Sequence, residues 1–586
     1  MSRLNDKGTH AAILCSCLVV TAAVYHRALG TFFARDDITF LSRAAGLERG
    51  EGPFRLVSGL AFRLEHALFG LDARGFHVVN LALHLLNVTG VYALAAKLEG
   101  RRWAAGAAAT LFGVSSIAFT PLHWAAGLVE LLPCAFLLSA ALLHLGSHRR
   151  GWVWRWAAAL LALLAMFAKE TAVMWVFFVV LLEWRAGRTP WLARDALPAA
   201  MASLVFASVF VGSGQIHRFE ASEAYARTTS PLFLAENLFT YLKWCVALGN
   251  PIRDRVAAVD PGAWRVALPL VVAVAAALRG RDSDAPLAVE IGLGWWLLFL
   301  IPVLPLAHHT YLYYLYIPWA GGAIGAAALG RRLLDPWPRT LARSVGCLAL
   351  AGVVGVEAHA IRTRESKTQD ALPVDPTLRE AMLLSHALPA LRAAGLKPGA
   401  RVAFVNPVPR PRFDLMTGAP TRPEDAPNRT SYLPLEAAMR GGETLRLFLP
   451  QVVYLGFATT IPPDWEGAEC FYYEQRGWLK YWGHGQSAWM RQAQVQVAAR
   501  RWTAAESTLL RVRALGDTVP GALEAQVAAL AGLGRETEAR AIARELVNRW
   551  PHRPLAPDTR AFSSIAPQRT PDAGKAGHAH RTFTTP

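Results

Sequence analysis

Charge is what this sequence has least of. Only 18% of its 586 residues are Asp, Glu, Lys or Arg, where soluble domains carry about a quarter. With 53% hydrophobic residues beside it, that shortfall excludes both a string of soluble domains and a disordered chain. Cysteine is scarce too. Of six, Cys15, Cys17, Cys134, Cys245 and Cys347 lie in apolar segments and Cys470 alone in polar sequence, so neither a disulfide framework nor a zinc site follows. A GxGxxG turn and a phosphate loop are missing, so no nucleotide-binding Rossmann unit is expected.

Long apolar runs are abundant, and the mean hydropathy is +0.26. Runs of spanning length fall near residues 10–33, 76–96, 103–120, 127–146, 153–168, 170–184, 196–213, 263–279, 286–306, 311–330 and 340–358, which predicts an α-helical polytopic membrane protein of about eleven transmembrane helices. The first run is too long for a signal-peptide core and reads as a retained helix. Lys and Arg exceed Asp and Glu by 60 to 43, and their placement explains the excess. Alternate short loops carry Arg3, Lys7, Lys97, Arg101, Arg102, Arg149, Arg150, Arg155, Arg185, Arg188, Arg194, Arg279, Arg281, Arg331, Arg332, Arg339 and Arg343, whereas the opposite loops near 120–127 and 307–311 carry none. That asymmetry orients the N-terminus to the cytoplasm, and it removes the need for a nucleic-acid partner. The segment 231–250 is read as interfacial or re-entrant, because a crossing there would invert everything after it. The loop at 34–75 and the whole chain after 358 then face outward, which in a bacterial inner membrane means the periplasm.

The organisation expected is a polytopic membrane domain over 1–358, a soluble α/β module over 359–484, helical hairpins over 485–551 and a disordered tail over 552–586. In the module, 377–395 reads as a helix, with strands at 401–406, 447–455 and 470–474. In the hairpins Ala505, Leu509 and Val512 recur 34 residues later as Ala539, Ala543 and Leu546, the period of a tetratricopeptide array. So short an array must lean on other structure.

Residues able to carry chemistry gather outside. Asp36 and Asp37 follow the first helix in TFFARDD, where a low-dielectric boundary raises a carboxylate toward the pKa of a general base. Asp37 is favoured over Asp36, since the residue ending a helix is the more readily tied down. His77, Asn80, His84 and Asn87 recur at spacings of three and four, forming one polar stripe that faces a cavity or a partner helix. Lys169 and Glu170 interrupt an apolar stretch, and suit either an ion pair or a lipid phosphate. His308, His309 and Tyr311 lie at another outer loop, with spacing too irregular for a metal site.

The order ARDD, FRLVS, FGLDARGFHVVNLALH, LFGVSSIAFTPLHWAAGLVELL and FAKETAV, followed by the hairpin segment, resembles the polytopic glycosyltransferases of the C superfamily. It is most similar to the transmembrane and tetratricopeptide-repeat-containing O-mannosyltransferase-like family and its bacterial relatives. The resemblance implies a membrane glycosyltransferase that moves a sugar, with inversion, from a polyprenyl-phosphate donor to a protein or glycan acceptor on the outer face. It implies catalysis by Asp37 or Asp36, donor-phosphate binding by Arg55, Lys169 and His308, and a substrate cavity lined by His77, Asn80, His84, Glu130, Glu170, His309 and Tyr311. No metal ligand is assigned and no cofactor is required, while a divalent ion stays open; the helical repeats would take a protein partner. Two departures stand out: Ser115, Ser116 and Thr120 occupy the place of a family His-Pro and Glu, and Phe54-Arg55-Leu56-Val57 replaces a YRPL-like motif. The competing readings are a non-catalytic scaffold and an O-antigen ligase or polymerase, whose large outer loop usually comes late rather than first.

Overall fold

A computed structural model describes residues 2–48, 55–187, 192–215, 225–246, 259–279, 287–369, 371–407, 412–414, 420–421, 431–432, 434–474 and 477–563. Phe54, Arg188, Arg281 and the tail from 564 onward lie outside them. The chain forms two compact units, one of Met1–Ala400, Arg410–Gly456 and Tyr473–Leu479, the other of Arg401–Pro409, Phe457–Tyr472 and Lys480–Pro586.

The first unit is almost wholly helical. Its elements are α1 (Ser2–Tyr25), α2 (Asp37–Ala44), α3 (Leu56–Phe69), α4 (Ala73–Glu99), α5 (Arg102–Gly113), α6 (Phe119–His123), α7 (Leu128–Arg150), α8 (Val153–Ala168), α9 (Trp175–Arg185), α10 (Leu192–Gly212), α11 (Pro231–Val246), α12 (Trp264–Arg279), α13 (Leu287–Leu300), α14 (Tyr316–Leu334), α15 (Arg339–Ser366) and α16 (Pro376–Ala393). Each of the eleven apolar runs holds helix. Among the described residues six helices are long and apolar enough to cross a membrane, seven if α5 and the bent segment Ser116–His123 make one span; Val153–Ala168 and Leu287–Val303 are apolar but shorter. Pro231–Val246 is a helix that buries Asn237, Thr240, Tyr241 and Cys245.

Local chemistry sets the helix ends. Asp72 caps α4 by accepting from the Arg74 amide, and Gly100 closes it in the left-handed conformation, φ 64°, which costs glycine nothing. Asp375 caps α16 through the amides of Thr377 and Leu378, and its other oxygen takes Arg364 at 2.7 Å. Glycine also sets how closely helices approach: a Cβ on Gly292 would lie 2.6 Å from the Gly321 carbonyl, so α13 and α14 pack backbone to backbone.

In the second unit, strands β1 (Arg401–Val405) and β2 (Glu469–Tyr473) pair in parallel, with β3 (Leu479–Gly483) on the other side of β2. Val402, Ala403, Phe404 and Val405 are all fully buried, which fits a strand read as a continuous apolar run. The strand expected over 447–455 begins only at Val453, because residues 443–448 form a helix. Two hairpins follow, Gln486–Ala498 with Trp502–Ala514 and Pro520–Gly532 with Glu536–Arg549, whose corresponding helices start 34 residues apart. Ala505, Leu509 and Val512, and their counterparts Ala539, Ala543 and Leu546, are fully buried. The first hairpin leans on the sheet side of its own unit: Gln492 accepts from the Ile461 amide at 2.7 Å, and Arg511 meets Glu466 at 3.1 Å. The expected tail is not wholly irregular, since Pro557–Ser563 adds a short helix.

Candidate active site

The chain leaves α1 through a turn and reverses at Arg35, which holds a left-handed φ of 54°. That reversal sends the two following carboxylates to different places. Asp37 is fully buried. Its Oδ2 accepts from the Ala34 amide at 2.9 Å and the Ala125 amide at 3.4 Å, and its Oδ1 from the Ala126 amide at 2.6 Å. Burial pushes this carboxyl up to about 8, with the three amides pulling against it. Asp36, by contrast, keeps 58% of its side chain exposed and meets Arg440 at 3.5 Å. The preference for Asp37 as the base supposes that the residue ending the helix is tied down; here backbone amides tie down Asp37, and Asp36 stays exposed.

The loop that supplies those amides, Phe119–Gly127, is held from below by α4. Asn80 donates to the carbonyls of Pro121, Trp124 and Ala125 at 3.3, 3.0 and 3.1 Å, and His77 Nδ1 donates to that of Leu122 at 2.9 Å. One turn on, His84 Nε2 donates to the Gly113 carbonyl. That bond leaves Nδ1 to accept from the Tyr316 hydroxyl at 2.7 Å, which in turn accepts from Asn87. All four residues of the stripe are buried. Of the two expectations for the stripe, a cavity or a partner helix, the bonds fit the second: they reach the carbonyls of neighbouring segments and the Tyr316 hydroxyl. Gly127 completes the brace, since a Cβ there would sit 2.0 Å from the Pro121 carbonyl.

The charged residues of the other loops pair with each other. Arg55, with a left-handed φ of 51°, places two guanidinium nitrogens on Glu170 at 3.2 and 3.0 Å, and both side chains stay partly exposed. Lys169 turns the other way and forms a buried ion pair with Glu130, its ammonium 4.7 Å from the Tyr314 ring. Lys169 and Glu130 are thus removed from the surface a lipid phosphate would reach. Aromatic rings join these groups to the Asp36 region: Arg35 lies over Trp124, Trp124 meets Tyr313 edge-on at 5.8 Å, and Tyr313 touches both Tyr311 and Tyr314 at 4.9 Å. His309 stacks on Tyr225 at 4.8 Å and meets Tyr311 at 5.1 Å, while His308 is exposed.

Several residues of this region carried no sequence signal. Arg440 reaches Asp36, Glu443 and Thr39 from a segment some 400 residues away in sequence, and only its left-handed φ of 47° marks it. Glu380 accepts the Arg35 amide at 2.9 Å. Glu65 is buried on α3 with neither oxygen hydrogen-bonded, and burial, then the Asp37 charge, push it up to about 8. Glu357, Arg364 and Glu365 tie the end of α15 to the segment 116–123 through Ser116, Thr120 and His123; charges closing an otherwise apolar helix were the one available hint.

No family model matches the chain. Among solved structures it is similar to ArnT from Cupriavidus metallidurans bound to undecaprenyl phosphate, at 15% identity and TM-score 0.40, covering 80% of this chain and 93% of that one. It is also similar to the Archaeoglobus fulgidus oligosaccharyltransferase in the apo form, at 9% identity and TM-score 0.40, covering 76% and 64%. By sequence the chain is 28% identical over 186 residues to the protein O-mannosyl-transferase Tmtc1 of Drosophila melanogaster, a match spanning 27% of this chain and about a fifth, 21%, of that relative's length.

Proposed function

We propose that this chain is a multi-pass membrane glycosyltransferase that moves a sugar from a polyprenyl-phosphate donor to a hydroxyl of a protein or glycan acceptor on the outer face. The observation that carries the reading is the exposed Asp36 carboxylate directly after the first apolar helix, set between Arg35 and Arg440, with the Tyr311–Tyr314 rings leading from there to Arg55 and Glu170. Asp36 takes the proton of the acceptor hydroxyl. The acceptor oxygen bonds to the anomeric carbon from the face opposite the phosphate, the bond from that carbon to the phosphate oxygen breaks, and the electron pair leaves with polyprenyl phosphate, so configuration inverts. Arg55 and Arg440 are the cations able to stabilise the leaving phosphate, and His308 is an exposed imidazole able to hydrogen-bond it. Arg55 keeps Glu170 as its partner until phosphate competes for it. The tetratricopeptide reading of the hairpins rests on the 34-residue shift and supports a protein acceptor or partner.

The orientation proposed is eleven crossings with the C-terminal region outside. Reporter fusions after Gly100, Arg150 and Asp335 should report cytoplasm and those after Gln215 and Ala400 the outer side; a cytoplasmic report at Ala400 overturns it. The chemistry is tested by sugar transfer from a polyprenyl-phosphate-linked donor to a peptide or glycan acceptor, using purified wild-type protein and Asp36→Asn. Transfer by wild type that is lost in the variant is expected, and undiminished transfer by Asp36→Asn rejects the assignment of the base.

A further inference from the structure

At the end of α7 opposite Glu130, a second polar cluster sits in apolar surroundings, and the transfer reaction has no use for it. His144 and His148 stand one helical turn apart on α7, and Glu183 faces them from the last turn of α9. His144 Nε2 lies 2.7 Å from Glu183 Oε1 and His148 Nε2 lies 3.4 Å from the same oxygen, and one ligand atom from each residue fits within 4.8 Å of the others. Glu183 is fully buried. Its second oxygen, Oε2, is buried without a hydrogen-bond partner, an arrangement that is costly for a charged group.

We infer that His144, His148 and Glu183 form a binding site for a divalent transition metal ion, joining the ends of α7 and α9. An ion held tetrahedrally at about 2.0–2.2 Å sets its ligand atoms roughly 3.4 Å apart. The His148–Glu183 spacing already matches that, and the His144–Glu183 spacing needs to open by only about 0.7 Å. Two imidazoles and a carboxylate suit Zn²⁺ or Co²⁺ rather than Mg²⁺ or Ca²⁺, which prefer oxygen ligands alone. Three protein ligands leave the fourth position to water. The cluster lies some 18 residues along α7 from Glu130, roughly 27 Å at 1.5 Å per residue, so the ion is structural and distinct from the transfer site.

Arg155 sets the competition. It donates to His148 Nδ1 at 3.2 Å and to Ser147 Oγ at 3.2 Å, and it forms an ion pair with Asp195. Because a guanidinium only donates, the first of these bonds fixes His148 in the tautomer with its proton on Nε2. A metal on Nε2 requires the other neutral tautomer, with the proton on Nδ1, and Arg155 then retains Asp195 and Ser147 alone. Metal and Arg155 therefore oppose each other at one imidazole, and Arg155→Gln should tighten metal binding.

The test uses the full chain in detergent, freed of metal by a chelator and titrated with Co²⁺ and then Zn²⁺, read by visible d–d absorption and by thermal unfolding. One saturable Co²⁺ per chain with the intense absorption of a four- or five-coordinate ion is expected. Zn²⁺ should displace it and raise the unfolding temperature. His148 is the least buried ligand, so His148→Ala should fold yet lose the band and the Zn²⁺-dependent stabilisation, and Glu183→Gln should lose both as well. Should either variant fail to fold, His148→Gln with an unchanged elution profile carries the test. Absence of a saturable band in wild type overturns the proposal, as does a band that persists in these variants, since that would place the ion on other histidines.

Discussion

The α4 stripe and the loop around Asp36 are built from the same kinds of side chain and put them to opposite use. On α4 the four residues of the stripe are buried and brace neighbouring segments: His77 and Asn80 hold the Phe119–Gly127 loop, and His84 and Asn87 hold Gly113, Leu131 and Tyr316. Around Asp36 the charged groups pair weakly, stay partly exposed and sit on strained backbone. Arg35, Arg55 and Arg440 are three of the five non-glycine residues with left-handed φ among the described residues. Each such conformation costs on the order of 1–3 kcal/mol and persists only where the surroundings impose it. The comparison teaches that burial and backbone partners, not residue type, separate scaffold from chemistry. Asp37 belongs with the stripe and Asp36 with the strained arginines.

The comparison breaks most visibly if the two carboxylates exchange roles. Asp36→Asn should lower the transfer rate by about 10²–10⁴, the usual cost of losing a general base, with little change in thermal stability. Asp37→Asn should do the reverse, destabilising the protein because an amide cannot accept three backbone N–H groups with both of its ends. Paired rate and unfolding measurements on the two variants decide it. A large rate loss confined to Asp37→Asn would return the base to Asp37.

Lys169 sharpens the same boundary. As a buried partner of Glu130 it counts as scaffold, and Lys169→Ala should destabilise by about 3–5 kcal/mol, since it leaves Glu130 charged and unpaired. Replacing both residues, Lys169→Met with Glu130→Leu, should recover most of that loss. A Lys169→Ala protein of normal stability whose donor KM alone rises would move the lysine to the phosphate. Asn80→Ala comes next, at about 1–3 kcal/mol for carbonyls left without their donor. It should also slow transfer slightly through the loop that seats Asp37.

How much of this was legible in the sequence follows from the same distinction. Apolar length located helix in each of the eleven runs, because apolar length is a property of contiguous segments, and the charge asymmetry supports the orientation proposed. The 34-residue recurrence of Ala505, Leu509 and Val512 marked residues that are all fully buried. The acid pair, Arg55 and Lys169–Glu170 were visible as charges in apolar surroundings. Which of them stay accessible was not, because that depends on partners distant in sequence: Glu130 for Lys169, Ala126 for Asp37 and Arg440 for Asp36. The α4 periodicity placed four polar residues on one face correctly, but period alone cannot tell a cavity from a neighbouring loop. Glu65 falls on a periodic face of α3 beside Leu64 and Leu68, and its burial against the Asp37 side is a tertiary fact.

The remaining effect concerns pH, and it tests the burial of Asp37 directly. Burial pushes Asp37 up to about 8 from an ordinary value near 3.9, so at neutral pH the folded protein keeps a proton there that the unfolded chain has lost. A raised folded pKa makes stability greatest below the unfolded value and diminishes it as pH rises through about 8. One such proton gives a slope of at most about 1.4 kcal/mol per pH unit. Glu65, likewise pushed up to about 8, adds a second contribution of the same sign. Between pH 5 and pH 8 the unfolding temperature of the wild type should therefore fall, and Asp37→Asn and Glu65→Gln should each flatten that fall. A fall that Asp37→Asn leaves as steep as in wild type would mean that this carboxyl is not buried with its proton, and its place in the scaffold would fail.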